Sequence, residues 1–385
     1  MGQLDKISKI REAIGDSGYG VIAAFGPDNF TYLTGAVLPF PENYIDRHAA
    51  VIMGSDGLGV AILPADWAEA VKAQNWAGKT IIYDENIAPA PQAFLKAFSE
   101  AAKEAEAKRL GYDSSRISMG LLESLKIAAP ELKMEPADKL LESLRAVKTS
   151  EEVKLIETAC LQNDRGIIHA LNHLEGTVTY PGYYIPEFSE RVRVHIFETG
   201  GSGVGHLSTT FGADTRLYYT PHRGTFRNGE IFRVDVSSHY KGYWSNLGRM
   251  CYTGNPTKDV EDAYKINIRL KTLAESELQV GAICGDIHDK VKKFAEWQGS
   301  PLKDDEVLGH GVGTSHYEFP YIAAGSKEVL KDGMTIALDV VTYGPRKELI
   351  HNKDVYLIKA DGAQKLSWYR EWDKPYPVIG FRAFH

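Results

Sequence analysis

The chain has 385 residues, of which 43% are hydrophobic and 25% charged, and its formal net charge is −7. That length exceeds what one core usually serves, so two domains are expected. The mildly acidic balance, without a Lys/Arg block and without an apolar run of membrane-spanning length, argues against nucleic-acid and membrane partners.

Met1–Gly15 reads as an amphipathic helix rather than a secretory signal, because it lacks a continuous apolar stretch. Gly20–Phe25 reads as a buried strand that Gly26-Pro27-Asp28-Asn29 stops. Ala49–Met53 and Gly59–Leu63 read as two more strands, joined by the turn Ser55-Asp56-Gly57. Helices are expected near Asp66–Gln74 and Pro91–Ala107, which makes the first part an α/β domain with a mixed sheet. A helix over Asp138–Lys148 leads to Thr149-Ser150-Glu151-Glu152, an N-cap with first-turn acids, and a long helix then runs to about His173. The boundary is placed near Thr149, giving domains 1–148 and 149–385. Beyond it, strands are expected around Glu190–Phe197, Leu217–Thr220, Ile231–Ser237 and Gly248–Thr253. Helices follow at Thr257–Leu278 and Ile287–Trp297, then strands at Thr335–Val341 and Asp354–Ile358. The Gly-rich stretch Glu198–Gly203 lacks the strand–GxGxxG–helix setting of a nucleotide site and reads as a loop near a pocket. Cys160, Cys251 and Cys284 are odd in number and widely spaced. They read as buried free thiols of a reducing cytoplasm.

The segment Ile231–Met250 carries Asp235 and, eleven residues on, Asn246, in a frame with Gly242-Tyr243, Ser245 and Arg249. Before it stand Asn29-Phe30-Thr31-Tyr32-Leu33-Thr34-Gly35 and Leu144-Arg145-Ala146-Val147-Lys148 followed by Ser150-Glu151-Glu152. After it come Gly309-His310-Gly311-Val312-Gly313, Gly333–Asp339, and Asp354–Ile358 with Asp361-Gly362. In this order the segments resemble the creatinase, aminopeptidase P and methionine aminopeptidase family (peptidase family M24), whose fold is called pita-bread. The resemblance implies an α/β (α+β) fold class. A creatinase-like mixed-sheet N-terminal domain would precede a pita-bread domain with a curved antiparallel sheet.

The same resemblance implies a site. The family's metalloenzymes hold two hard divalent cations with Asp, Asp, His, Glu and Glu. At those positions this chain offers Asp235, Asn246, His310, Asp339 and Lys353. Two anionic ligands are gone and a cation stands in one of the places, so a dinuclear centre is not expected. Either no metal cofactor is bound and Lys353 pairs with Asp235 or Asp339, or one divalent metal such as Mn, Co, Fe or Zn sits on Asp235, His310 and Asp339. Creatinase shares the fold, works without metal and uses a histidine as acid–base catalyst, which His222 matches here. Its two catalytic glutamates correspond to Gly248 and Asn352. Arg47 matches its arginine for the substrate carboxylate. The peptidases' second histidine falls at Tyr317, with His316 beside it.

The leading expectation is a metal-independent, creatinase-like hydrolase that cleaves a C–N bond in a small carboxylate-bearing substrate by general acid–base catalysis. His222, His310, Asp235, Asp339 and Lys353 would carry the chemistry, and Arg47, His316, Tyr317 and Asn246 would hold the substrate. Asp235 and Asp339, set among apolar neighbours, need paired charge. Lys353 reads either as a base with a lowered pKa or as an inert counter-charge. His169, His173, His195, His206 and His239 read as ordinary histidines, and Tyr180, Tyr183, Tyr184, Tyr218 and Tyr219 as pocket or interface residues. The alternatives are a metal-dependent Xaa-Pro-type peptidase with an atypical mononuclear site, a lyase on a small polar substrate, and a non-catalytic binding protein on the same fold. A homodimer is expected, with Phe40–Arg47 of one chain near the partner's pocket.

Overall fold

In a computed structural model of the protein, residues 3–39, 47–74, 76–84, 90–176, 184–212, 215, 224–303, 307–367 and 372–379 are described. The chain divides into two compact units, one of Met1–Arg145 with Thr149–Glu151, the other of Ala146–Lys148 with Glu152–His385.

The first unit runs α1 (Gln3–Ser17), β1 (Val21–Ala24), α2 (Pro27–Thr34), β2 (Ala50–Gly54), β3 (Gly59–Pro64), α3 (Ala65–Lys72), β4 (Lys79–Tyr83), α4 (Ala90–Glu104), β5 (Arg109–Tyr112), α5 (Met119–Ala128), β6 (Lys133–Pro136) and α6 (Asp138–Ala146). Its sheet has the order β4-β3-β2-β1-β5-β6. It is mixed, since β1 is antiparallel to β2 and parallel to β5. Both faces of β1 are buried. Ile22 and Ala24 pack with Ile10, Phe30 and Trp67, while Val21 and Ala23 pack with Phe94, Phe98 and Leu125. That is the two-residue period of a strand covered on both sides. Pro27-Asp28-Asn29 does end the strand, but it opens a helix rather than a turn. Pro27 lies in the first helical turn, where its missing N–H costs nothing. Gly35 then closes α2 in the left-handed conformation, φ 74°.

The second unit runs α7 (Ser150–Gly176), α8 (Ile185–Glu198), β7 (Gly203–Phe211), β8 (Ile231–Tyr240), β9 (Tyr243–Thr253), α9 (Lys258–Ser276), α10 (Cys284–Trp297), β10 (Gly309–Gly311), β11 (Glu318–Ile322), β12 (Thr335–Tyr343), β13 (Leu349–Lys359), β14 (Gly362–Lys365) and β15 (Tyr376–Val378). Among the described residues its sheet follows β11-β10-β12-β13-β9-β8-β7, with β14 on β13 and β15 parallel to β9. It is the antiparallel sheet of the pita-bread fold. The expected strand at Glu190–Phe197 is instead helix α8. Its run of Val, Ile and Phe suggests a strand, yet the residues it buries are Ile185, Phe188, Val192 and Ile196. That spacing is the helical period, which decides the element once a sheet lies beneath it. The expected strand Leu217–Thr220 lies outside the described residues. Strand β7 was not foreseen, because Gly203 and Gly205 make its first half read as loop.

Helices α7 and α8 cover β8 and β9 through Phe232, Val234, Val236 and Leu247. Helices α9 and α10 bury Leu270, Ile287 and Val291 with Leu338, Val340 and Tyr356 of β12 and β13. On this helix-covered face sits a buried ionic network. The Arg249 guanidinium donates to both Asp164 oxygens at 2.9 and 3.1 Å and to the Lys353 carbonyl at 2.6 Å. It also pairs with Asp354 at 2.9 Å. Lys271 contacts Asp354 as well, and Lys365 approaches it at 3.6 Å. Burial opposes the Asp354 charge, but Arg249, Lys271 and Lys365 outweigh it and hold this carboxyl well below the usual range. Its stabilisation is therefore complete above the unfolded carboxylate value of about 3.9 and is lost as pH falls below it. Asp164 is shifted the other way, burial outweighing Arg249, so Asp354 carries the acid response of this network. Between pH 6 and 3 the denaturant midpoint of the second unit should fall, and Asp354→Asn should flatten that fall. Parallel pH profiles for parent and variant would exclude this origin.

The three cysteines are buried and unbridged. Burial raises the Cys160 thiol pKa strongly and pushes Cys284 up to about 11. Neither is a nucleophile near neutral pH.

Candidate active site

The other face of the second sheet carries the polar cluster. Asp235 of β8 is opposite Gly248 of β9, Gly248 is opposite Lys353 of β13, and Lys353 is opposite Asp339 of β12. Opposite residues share a face, so one row across four strands reads Asp, Gly, Lys, Asp. Two-residue steps from the row place Asn246 and His351 on the same face. His310 of β10 pairs with Ala337, next to the row's end.

Lys353 is central and 1% exposed. Its Nζ lies 3.4 Å from Asp235 Oδ1, 3.1 Å from Asp339 Oδ2 and 3.2 Å from Asn246 Oδ1. Burial works against its charge, but Asp235 and Asp339 prevail and raise its pKa above the usual lysine value. Of the two readings of Lys353, these surroundings fit the counter-charge and not the lowered base. Asp339 also meets His351 Nε2 at 2.6 Å. Against the cost of burial, His351 and Lys353 hold the Asp339 carboxyl far below the ordinary range. Asp235 is lowered too, Lys353 being the main influence opposing its burial.

His310 is buried, and its Nδ1 lies 2.9 Å from the Gly311 carbonyl. That carbonyl can only accept, so Nδ1 carries the proton and Nε2 presents a lone pair. Asn246 Nδ2 lies 3.4 Å from that Nε2. Burial first, and Lys353 second, push the His310 pKa down to about 4. The ring is neutral at pH 7. The Tyr317 ring covers it at 4.1 Å between centroids. His316 and Trp244 continue this aromatic wall at 4.8 and 5.3 Å, and His239 ends it 4.6 Å from Trp244.

Two histidines of the cluster escaped the sequence reading. His206 was read as ordinary, yet its Nε2 lies 3.8 Å from Asp235 Oδ2. Its side chain is 20% exposed, but that Nε2 is itself buried, and burial pushes the His206 pKa below the usual imidazole value although Asp235 opposes it. Finding it required strand β7. His351 could have been found, since it stands two residues before Lys353 on an expected strand and must share its face. Arg47 lies in the first unit, where its guanidinium is bidentate on Asp66 at 2.8 and 2.9 Å. His222, Tyr180, Tyr183, Tyr218, Tyr219 and 40–46 lie outside the described residues.

Gly248 leaves the room that Lys353 uses. A Cβ there would meet the His351 ring at 2.9–3.0 Å and Lys353 Cβ at 3.1 Å. Gly248→Ala should displace one of these side chains, at a cost of about 1–3 kcal/mol. Thermal unfolding with no loss of midpoint would show that the row has slack.

Residues 154–360 match the model of metallopeptidase family M24, and residues 6–147 match the creatinase/prolidase N-terminal domain. The chain belongs to metallopeptidase family M24, a family of hydrolases. A Xaa-Pro dipeptidase of Pyrococcus horikoshii is 24% identical over 68% of this chain and 73% of its own length. The uncharacterized peptidase YqhT of Bacillus subtilis is 21% identical over 94% of this chain and 97% of its own. Among solved structures, a Xaa-Pro dipeptidase from Bacillus anthracis superposes with TM-score 0.83 at 18% identity, covering 98% of this chain and 100% of that one. The prolidase of Pyrococcus horikoshii gives 0.79 at 20% identity, covering 94% and 98%.

These relatives overturn the expectation of a metal-independent, creatinase-like hydrolase. Xaa-Pro dipeptidases are among them, within a metallopeptidase family, which favours the metal-dependent Xaa-Pro-type alternative. The expectation of no metal cofactor falls with it. Missing ligands tell what a site has lost, and they do not favour one of the fold's reactions over another. The residues nevertheless do not fit a pair of divalent ions. Among the described residues no three His, Cys, Asp or Glu side chains are grouped as a metal needs, and an ammonium holds the central position. Also among the described residues, no helix is long and apolar enough to cross a membrane.

Proposed function

We propose that the chain hydrolyses short peptides of the Xaa-Pro type, with the domain of residues 149–385 carrying the chemistry. The observation that carries this reading is the row of Asp235, Lys353 and Asp339, ringed by His206, His310 and His351, on the face of a family M24 sheet opposite its helices. Carboxylates and imidazoles that converge on one face can orient and deprotonate a water. His206, beside Asp235 and partly exposed, takes that proton. His310, with its Nε2 lone pair towards Asn246, receives one more weakly. Tyr317, His316 and Trp244 offer ring faces suited to a pyrrolidine ring. The names of the relatives support the substrate class. We further propose a cytoplasmic homodimer.

The test is turnover of Xaa-Pro dipeptides against matched Xaa-Ala dipeptides, after chelation and again with Mn²⁺ or Co²⁺ added. Preferential cleavage of Xaa-Pro bonds is expected. No cleavage of any Xaa-Pro peptide under either condition would overturn the reading, and sedimentation as a monomer at micromolar concentration would remove the dimer.

A further inference from the structure

We infer that Lys353 is a resident competitor for divalent metal, because its ammonium holds the carboxylate oxygens that a cation would take. Metal binding and the Lys353 ion pairs then exclude one another. The inference stands on the geometry of the row. An ammonium has three N–H groups, and three oxygens surround this one: Asp235 Oδ1 at 3.4 Å, Asp339 Oδ2 at 3.1 Å and Asn246 Oδ1 at 3.2 Å. A divalent ion would need such oxygens at roughly 2.0–2.6 Å. The two cations would therefore share one volume, and their charges would repel across it. The lysine stem is settled in its place. The side chain is 2% exposed, and the row's glycine leaves the passage it occupies. The cluster can then accept at most one divalent ion, and only with the ammonium expelled from between Asp235 and Asp339.

Removing the ammonium leaves two buried carboxylate oxygens and an amide oxygen around the volume it held, with His310 Nε2 3.4 Å from the nitrogen of that amide. These are the oxygen and nitrogen donors a divalent ion takes. Lys353→Met should therefore bind a divalent ion more tightly than the parent does. This goes beyond the peptidase reading, and its test reads metal rather than turnover, so the two fail separately. Calorimetric titration with Mn²⁺, checked by the Mn²⁺ resonance spectrum, should give one ion per chain in Lys353→Met, with a Kd at least about tenfold tighter than the parent's. Mn²⁺ should also raise the melting temperature of the variant and leave the parent's nearly unmoved. Lys353→Arg keeps the cation and should gain nothing. If Lys353→Met does not fold, Lys353→Glu supplies the same comparison with an added carboxylate. Equal Mn²⁺ affinity in parent and variant, or a gain in Lys353→Arg as large as in Lys353→Met, would overturn the inference.

Discussion

Arg249→Met should unfold the second unit roughly 10 °C below the parent, a loss of about 3–5 kcal/mol. The guanidinium is buried and has no water to return to. It neutralises Asp164 and Asp354 and caps the Lys353 carbonyl. A methionine of similar length fills the space but takes the compensating charge from Asp164 and part of it from Asp354, which costs far more than the pair itself is worth. Part of the Asp354 charge remains covered by Lys271 and Lys365. Arg249→Met combined with Asp164→Leu should therefore recover a good share of the loss, since both ends of one pair are then apolar. Thermal or denaturant unfolding of the three proteins measures this. A single variant within about 1 kcal/mol of the parent would mean that water already enters the network.

His206→Asn should lower kcat on the preferred peptide by roughly a hundredfold and leave KM within a few-fold. The imidazole lies beside Asp235 and is partly exposed, so it can take a proton from a water held against that carboxylate. Asparagine keeps a polar atom near Asp235 but cannot exchange protons near neutral pH. The residue is partly exposed on strand β7, so the fold should be retained and the melting temperature should move by less than about 1 kcal/mol equivalent. If His206 only steadied the Asp235 carboxylate, His206→Gln would restore turnover. Recovery in that variant would reassign it as a positioning residue.

Much of this arrangement was legible in the chain. Asp235, Asn246, His310, Asp339 and Lys353 sit in short motifs whose order fixes the fold, and the structure brings those five side chains together. The strands that carry them are apolar enough to be read locally. What was not legible depended on pairing. The nine residues Gly203–Phe211 become a strand because β8 offers them an antiparallel partner from Phe232 to His239. Only then does His206 face Asp235. Helix α8 was misread for a related reason, its β-branched residues outvoting a spacing that means something only once the sheet beneath is known. The sequence left Lys353 open between a base and a counter-charge, because the sharing of its ammonium among three oxygens of three strands is a fact of register.

Asn246 sets an order on how this site could change. Its amide is used at both ends, the oxygen on Lys353 and the nitrogen towards His310 Nε2. An aspartate introduced there first would add a third carboxylate around a single ammonium. It would also turn an acceptor towards the His310 lone pair, so the ring would have to gain a proton that its burial opposes. A change of Lys353 made first removes the obstacle before the new carboxylate arrives. Return to a two-metal site would thus pass more easily through intermediates that alter position 353 before position 246, descent from one would run the same path backwards and alter position 246 first, and a library that takes this chain towards a two-metal site in the opposite order would be depleted of folded members.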